Sequence, residues 1–162
     1  MMNGWWLTAA CLVCLAPGIL VGAADDQAPK PAADACDIKI DAPQPGANVG
    51  RQAVISGTAT VPTTANVWVL ISIRGLKGWW PQGGGGAEVV GGRWEVLSFF
   101  GQSQDVGAQF VVAAAAVSHH NSQLLDNWVQ VGQKTGSYPP MPFPAVVEGC
   151  PVPRVTVTKT AH

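Results

Sequence analysis

Two adjacent tryptophans, Trp79 and Trp80, are the side chains of this sequence best suited to binding chemistry. They stand with Gln82 in GLKGWWPQGGGG, residues 75–86, and flat aromatic faces stack well on sugars and peptides. The Gln82 amide can donate and accept hydrogen bonds, so all three are candidate ligand-binding residues. Two alternatives stay open: the tryptophans close the protein's own core, and Gln82 satisfies backbone groups of the turn. Neighbouring side chains of an extended chain point to opposite sides, so we expect one ring to turn inward.

The four glycines at residues 83–86 invite comparison with a phosphate-binding loop. Such a loop needs a following Lys-Ser/Thr pair and the start of a helix, and Ala87-Glu88-Val89 supplies neither. We therefore interpret these glycines as a flexible hinge.

His119 and His120 raise the possibility of a metal site. Metal sites need three or four convergent ligands, whereas adjacent residues at the end of a strand diverge. We interpret both histidines as solvated side chains, and the sequence predicts no metal and no cofactor.

Nucleophilic and paired-carboxylate catalysis find little support. No serine stands in a G-x-S-x-G context. The carboxylates Glu88, Glu95 and Asp105 are scattered along the chain. We predict no catalytic residues and expect that the protein is not an enzyme.

Cys36 and Cys150 stand near the two ends of the region expected to fold, while Cys11 and Cys14 belong to an apolar leader. Export permits a disulfide, and we predict a Cys36–Cys150 clasp between the first and last strands. Two separate thiols or an intermolecular link are the alternatives.

The leader itself, residues 1–24, reads as a secretory signal peptide. Residues 5–24 carry no charge and end in small residues before Asp25-Asp26. A retained membrane anchor formed by residues 5–24 is the alternative, although Pro17-Gly18 interrupts the stretch. A flexible linker is predicted for residues 25–35, and residues 36–162 are predicted to fold as one domain.

Charge narrows the range of partners. Nine basic and ten acidic residues leave a formal net charge of −1, and charged residues make up only 12% of the chain. No surplus of positive charge is available to attract a polyanion, so we do not expect nucleic acid binding.

The elements that must position these residues are mostly short β-prone runs between glycine and proline turns. Residues 66–74, NVWVLISIR, form the strongest predicted strand, with Val67, Val69 and Ile71 directed to a core. Residues 110–117, FVVAAAAV, are apolar on both faces and must be covered on both sides. Gly57 is a possible β-bulge within residues 52–61.

One helix is expected after this apolar strand. Asn121 or Ser122 is the predicted N-cap, and Gly132 and then Gly136 end the helix. The spacing of apolar residues predicts a buried face that holds Leu124, Leu125, Trp128 and Val131. The proline-rich residues 137–144 cannot form a central strand. They are favoured as an extended connector packed through Tyr138 and Phe143, with a recognition segment as the alternative.

These elements predict an all-β fold: an antiparallel β-sandwich with one short helix inserted before the last strand. The sequence resembles an immunoglobulin-like domain that recurs in bacterial exported proteins, on the segments APQPGANVG, SGTATVP, NVWVLISIR, WWPQ, GGRWEV, FGQSQDVGAQFVVAAAAV and LLDNWVQVGQKTGSYPPMPFP. The resemblance spans about residues 38–160. It implies the immunoglobulin-like fold and no established activity or functional residues. The cysteine pair is not part of the family pattern.

We therefore expect a periplasmic or secreted, non-catalytic interaction or accessory module of the cell envelope. A protein-binding module is favoured, with an envelope or extracellular protein bound at the 75–86 loop or on the helix face. A carbohydrate-binding domain that uses Trp79 or Trp80 is the alternative, and a hydrolase ranks last. Contact with a membrane is expected only if residues 5–24 are retained as an anchor.

Overall fold

The computed structural model describes residues 36–161, so the predicted leader (1–24), the linker (25–35) and His162 lie outside the described residues. The described part of the chain contains eight strands and one α-helix. In chain order these are β1 (Asp37–Ala42), β2 (Asn48–Val49), β3 (Gln52–Thr60), β4 (Ala65–Ile73), β5 (Trp80–Pro81), β6 (Arg93–Phe99), β7 (Gln109–Ser118), α1 (His119–Thr135) and β8 (Arg154–Lys159).

The strands form two sheets. One has three strands in the order β1-β3-β6, and the other has five in the order β2-β8-β7-β4-β5. Every strand pairing is antiparallel except that of β2 with β8, which is parallel. This architecture confirms the predicted all-β sandwich with one helix before the last strand.

Alternate side chains of the long strands fill the space between the sheets. β4 directs Val67, Val69 and Ile71 into this inner core, as its alternation predicts. Phe100 and Phe110 meet edge to face there, with ring centroids 5.6 Å apart. Each fully buried side chain of this kind contributes about 1.5–3 kcal/mol of hydrophobic stabilisation, so the inner core is the main source of stability.

The opposite face of the five-stranded sheet is buried as well, beneath α1 and the proline-rich segment 137–144. We call its buried residues the outer cluster: Trp68, Leu70, Ala115, Val117, Leu125 and Val129. β7 is therefore covered on both faces, as predicted from its apolar sequence. The outward side of β4 belongs to a second core, because Trp68 and Leu70 are fully buried there.

The helix begins earlier than predicted and buries a different face. Ser118 is the N-cap, and its side chain accepts a hydrogen bond from the Asn121 backbone N–H. The buried face carries Ser122, Leu125, Val129 and Gly132, whereas Leu124 is 60% and Val131 48% exposed. A polar contact accounts for the difference, since the Ser122 hydroxyl accepts a hydrogen bond of 2.6 Å from the buried Trp68 indole.

Gly132 lies inside the helix and does not end it. A Cβ at Gly132 would lie 2.2 Å from the Tyr138 ring, so the bare backbone makes room for that side chain. The helix ends at Gly136, which caps it with a left-handed φ of 70°.

Gly57 was predicted as a possible bulge, but the irregularity lies in its partner strand β1, between Ile40 and Ala42. Gly57 itself stays in register with Trp94 on β6. Its lack of a side chain admits the close approach of β1 and of the Trp94 ring.

A disulfide joins Cys36, just before β1, to Cys150, which precedes β8, with a Cα–Cα distance of 5.0 Å. The predicted clasp is confirmed. Within residues 36–161, no helix is long and apolar enough to cross a membrane.

Candidate binding groove at the sandwich edge

The two tryptophans of the 75–86 loop lie at the outer edge of the five-stranded sheet. Trp80 pairs with Ile71 across β4 and β5, which places it on the inner side of the sheet. Trp79 precedes the strand and packs against the outer cluster. The two neighbouring rings therefore have different surroundings.

Trp79 closes the outer cluster. Its ring meets Phe143 edge to face at 4.9 Å, and the Arg154 guanidinium lies 5.3 Å from the centroid of each ring. Its backbone N–H and C=O exchange hydrogen bonds of 2.8 and 3.0 Å with Met141. This pairing lies directly before β5 and attaches the proline-rich segment to the sandwich, as the connector interpretation expects.

Trp80 instead lines an open depression. Its indole N–H donates to the Tyr138 carbonyl at 2.9 Å, and the Trp128 indole donates to the Pro139 carbonyl at 3.1 Å. The Trp128 and Tyr138 rings pack against each other with centroids 5.4 Å apart. The hydrogen bonds hold the Trp80 and Trp128 rings beside the depression, whereas the Tyr138 ring, 46% exposed, is held by its packing against Trp128.

Gln82 holds the two sheets together next to this depression. It is only 8% exposed. Its side-chain N–H donates to the Trp80 carbonyl at 3.0 Å, and its side-chain oxygen accepts from the Phe99 backbone N–H at 2.8 Å. Both ends of the amide are thus engaged by backbone, and a contact between Gln82 and a ligand stays a prediction.

The depression is a groove of about 1040 Å³ that runs between β5 and β6. We call it the edge groove and define it by five of its lining residues: Trp80, Gln82, Phe99, Trp128 and Tyr138. Phe99 and the neighbouring Leu97 are about half exposed. Charge along the groove is mainly negative, because Glu88, Glu95 and Asp105 line it together with a single cation, Arg51.

Sequence reasoning found Trp80 and Gln82 but missed the other walls. Trp128 was assigned only to a helix face, Tyr138 to a connector, and Phe99 to no site. Strand alternation in residues 93–100 was the available signal, because it puts Leu97 and Phe99 on the face opposite Trp94 and Val96, and apolar residues on an outward face mark a binding surface.

The glycines at residues 83–86 form the turn that bounds the groove. Gly83 and Gly84 have φ values of 78° and 77°. A Cβ at Gly83 would lie 2.6 Å from the Val96 side chain, so the turn approaches β6 closely. Glycine is required here by backbone geometry and packing.

The remaining candidates for chemistry lie apart from the groove. His119 and His120 are exposed at the start of α1. Between Cys36 and Ala161, no group of three or more His, Cys, Asp or Glu side chains is arranged to hold a metal ion.

Comparison with known proteins adds no relative: no protein-family model and no curated protein matches the chain. The immunoglobulin-like family resemblance therefore stays a prediction, and the edge groove is the feature of the described residues that best indicates a function.

Proposed function

We infer that this protein is an exported, non-catalytic binding module of the cell envelope and that a segment of a partner protein binds in the edge groove. The observation that carries this proposal is the composition of the groove. Trp80, Trp128 and Tyr138 are held at its mouth by hydrogen bonds and ring packing. Pre-positioned aromatic side chains of this kind dominate binding energy at protein interfaces.

Two features support export. The Cys36–Cys150 disulfide belongs to an oxidising compartment, such as the periplasm or the extracellular space. The uncharged sequence of residues 5–24, followed by Asp25-Asp26, is typical of a secretory leader.

A polypeptide is favoured over other ligands because the groove combines aromatic walls with apolar side chains along a strand. Leu97 and Phe99 line the groove and are 48% and 49% exposed. A carbohydrate ligand is the second candidate, since the Trp80 ring could stack on a sugar face.

Replacement of Trp80 by alanine tests the proposal. We expect Trp80→Ala to weaken capture of a specific envelope protein by at least about tenfold, because truncating an aromatic anchor costs on the order of 2 kcal/mol of binding. Thermal unfolding, followed by circular dichroism, should confirm that the variant folds.

The matched control is Leu124→Ala, which truncates an exposed apolar side chain on α1, outside the groove lining. Unchanged capture by folded Trp80→Ala, or equal loss in the Leu124→Ala control, contradicts the proposal. For the carbohydrate candidate, titration with envelope polysaccharides should change tryptophan fluorescence only when Trp80 is present.

A further inference from the structure

The strand β6 ends its sheet, and the hydrogen bonds show which of its backbone groups face outward. Phe100 donates to the Arg51 carbonyl and Gly92 accepts from the Ala59 N–H, both at 2.9 Å. Because such bonds alternate along an antiparallel pair, the backbone groups of Val96 and Ser98 also point to β3. The N–H and C=O groups of Glu95, Leu97 and Phe99 then point away from the sheet.

Only part of this outward row is occupied. The Phe99 N–H donates to the Gln82 side chain, as described above. Within the described residues, no strand pairs with β6 on that side. Glu95 and Leu97 therefore offer two donors and two acceptors in the geometry of a β-ladder.

The side chains beside this row are unusually apolar for a sheet edge. Val54 pairs with Leu97 across β3 and β6, and both lie on the outer face, where they are 52% and 48% exposed. Phe99 continues the patch at 49% exposure. Proteins commonly protect an edge with lysine, proline or a covering loop, so an apolar edge marks a pairing site.

The charge of the edge groove indicates what kind of segment can bind beside β6. The residues lining the groove include three carboxylates and one guanidinium. Arg93, at the start of β6, lies outside the groove lining and is paired with Val90 through both backbone groups. A second copy of the chain is disfavoured as the occupant, because it would bring the same carboxylates together. The chain's own residues 25–35 are disfavoured as well, because they carry Asp25, Asp26 and Asp34 against one lysine.

We propose that the partner segment adds to β6 as a strand, and that it is an extended, basic stretch of another protein whose apolar residues and a lysine or arginine occupy every second position, on one face of the strand. Its backbone pairs with Glu95 and Leu97, apolar side chains lie beside Leu97 and Phe99, and a lysine or arginine lies beside Glu95. Strand addition draws affinity from main-chain hydrogen bonds and specificity from alternate side chains. This proposal rests on the protein-binding function inferred above and specifies its mode.

Amide hydrogen exchange, measured by NMR on the folded domain, tests the mode directly. The probe is a synthetic peptide of about seven residues, Lys-Thr-Val-Thr-Val-Thr-Lys, a length typical of one strand. Its valines and lysines lie on the same face of the strand. In the free protein, we expect fast exchange at Glu95 and Leu97 and slow exchange at Val96 and Ser98. Peptide addition should slow exchange at Glu95 and Leu97 by at least about tenfold, since each N–H gains a partner.

Two matched peptides complete the experiment. A peptide with glutamate in place of lysine should bind at least about tenfold more weakly, because the groove is acidic. N-methylation of alternate residues, which removes the pairing N–H groups, should abolish binding. Strand addition is overturned if either matched peptide binds as tightly as the lysine peptide, or if the lysine peptide does not bind. It is also overturned if the lysine peptide binds without slowing exchange at Glu95 and Leu97. The proposed function fails separately, through the Trp80→Ala capture experiment.

Discussion

Gly57 shows how strongly one residue can be constrained in this fold. A Cβ at this position would lie 1.9 Å from the Lys39 backbone oxygen and 2.6 Å from the Trp94 ring. The backbone of β1 cannot move aside as a flexible side chain would. We expect Gly57→Ala to lower the free energy of unfolding by about 3 kcal/mol, the upper range for overpacking a core.

Urea denaturation measures this loss, and Gly85→Ala is the matched control. A Cβ at Gly85 would meet only the Asp126 carboxylate, at an ordinary 3.8 Å. The control should stay within about 0.5 kcal/mol of the parent protein, as surface substitutions usually do. If the Gly57→Ala protein is as stable as the control, then β1 and the Trp94 ring do not approach Gly57 as closely as described.

The two neighbouring tryptophans illustrate what residue-level sequence reasoning can and cannot predict. Strand alternation predicts that Trp79 and Trp80 face opposite sides. It does not predict what each ring packs against, because both rings are half-buried and the cover of Trp79 consists of Met141 and Phe143, about 60 residues further along the chain. The site residues Trp80 and Gln82 were accessible from sequence, and their surroundings were not.

At the scale of elements, long strands with clear patterning were predictable. β4 and β7 have dense β-branched or alanine-rich sequences, and their burial follows from their patterns. β5 has only two residues, and they form a strand because they pair with β4. No local sequence pattern therefore identifies β5. The start of α1 was misplaced because Ser118, Asn121 and Ser122 are all good N-caps, and tertiary contacts select among them.

The contact between α1 and the proline-rich segment leads to a prediction about Gly132. Alanine is favoured over glycine inside a helix by about 1 kcal/mol. Because a Cβ at Gly132 would displace the Tyr138 ring from Trp128, we expect Gly132→Ala to give no net stabilisation in the parent protein. In a Tyr138→Ala background, the same change should stabilise by about 1 kcal/mol.

Thermal or urea unfolding of the four proteins in this cycle checks the coupling. Equal effects of Gly132→Ala in both backgrounds would mean that Tyr138 does not pack over Gly132.

For the whole molecule, the disulfide is the longest-range constraint. It joins cysteines separated by 114 residues, and loop closure of that size stabilises by about 4 to 5 kcal/mol in the chain-entropy model. We expect the Cys36→Ala/Cys150→Ala variant to lose most of this free energy of unfolding, measured by urea denaturation. In the protein isolated from its own cells, alkylation under non-reducing conditions should leave both cysteines unmodified, and two free thiols would contradict the clasp.

The fold class and the clasp were predictable because they depend on composition, patterning and cysteine placement. The edge groove was not, since it joins β5, β6 and the end of α1 across both sheets. No window of sequence contains all of its walls. A pattern of exposed apolar residues on β6 was visible, but its meaning depended on which strand lay at the end of the sheet.

Site-specific photo-crosslinking in cells tests most directly whether the edge groove is the binding surface. A benzophenone amino acid replaces Phe99 in the groove and, as the matched control, Leu124 on the exposed face of α1. We predict a discrete adduct with a partner protein from position 99 and none from position 124, because interface contacts are confined to one patch. An adduct from position 124 alone, or none from position 99, would contradict the account.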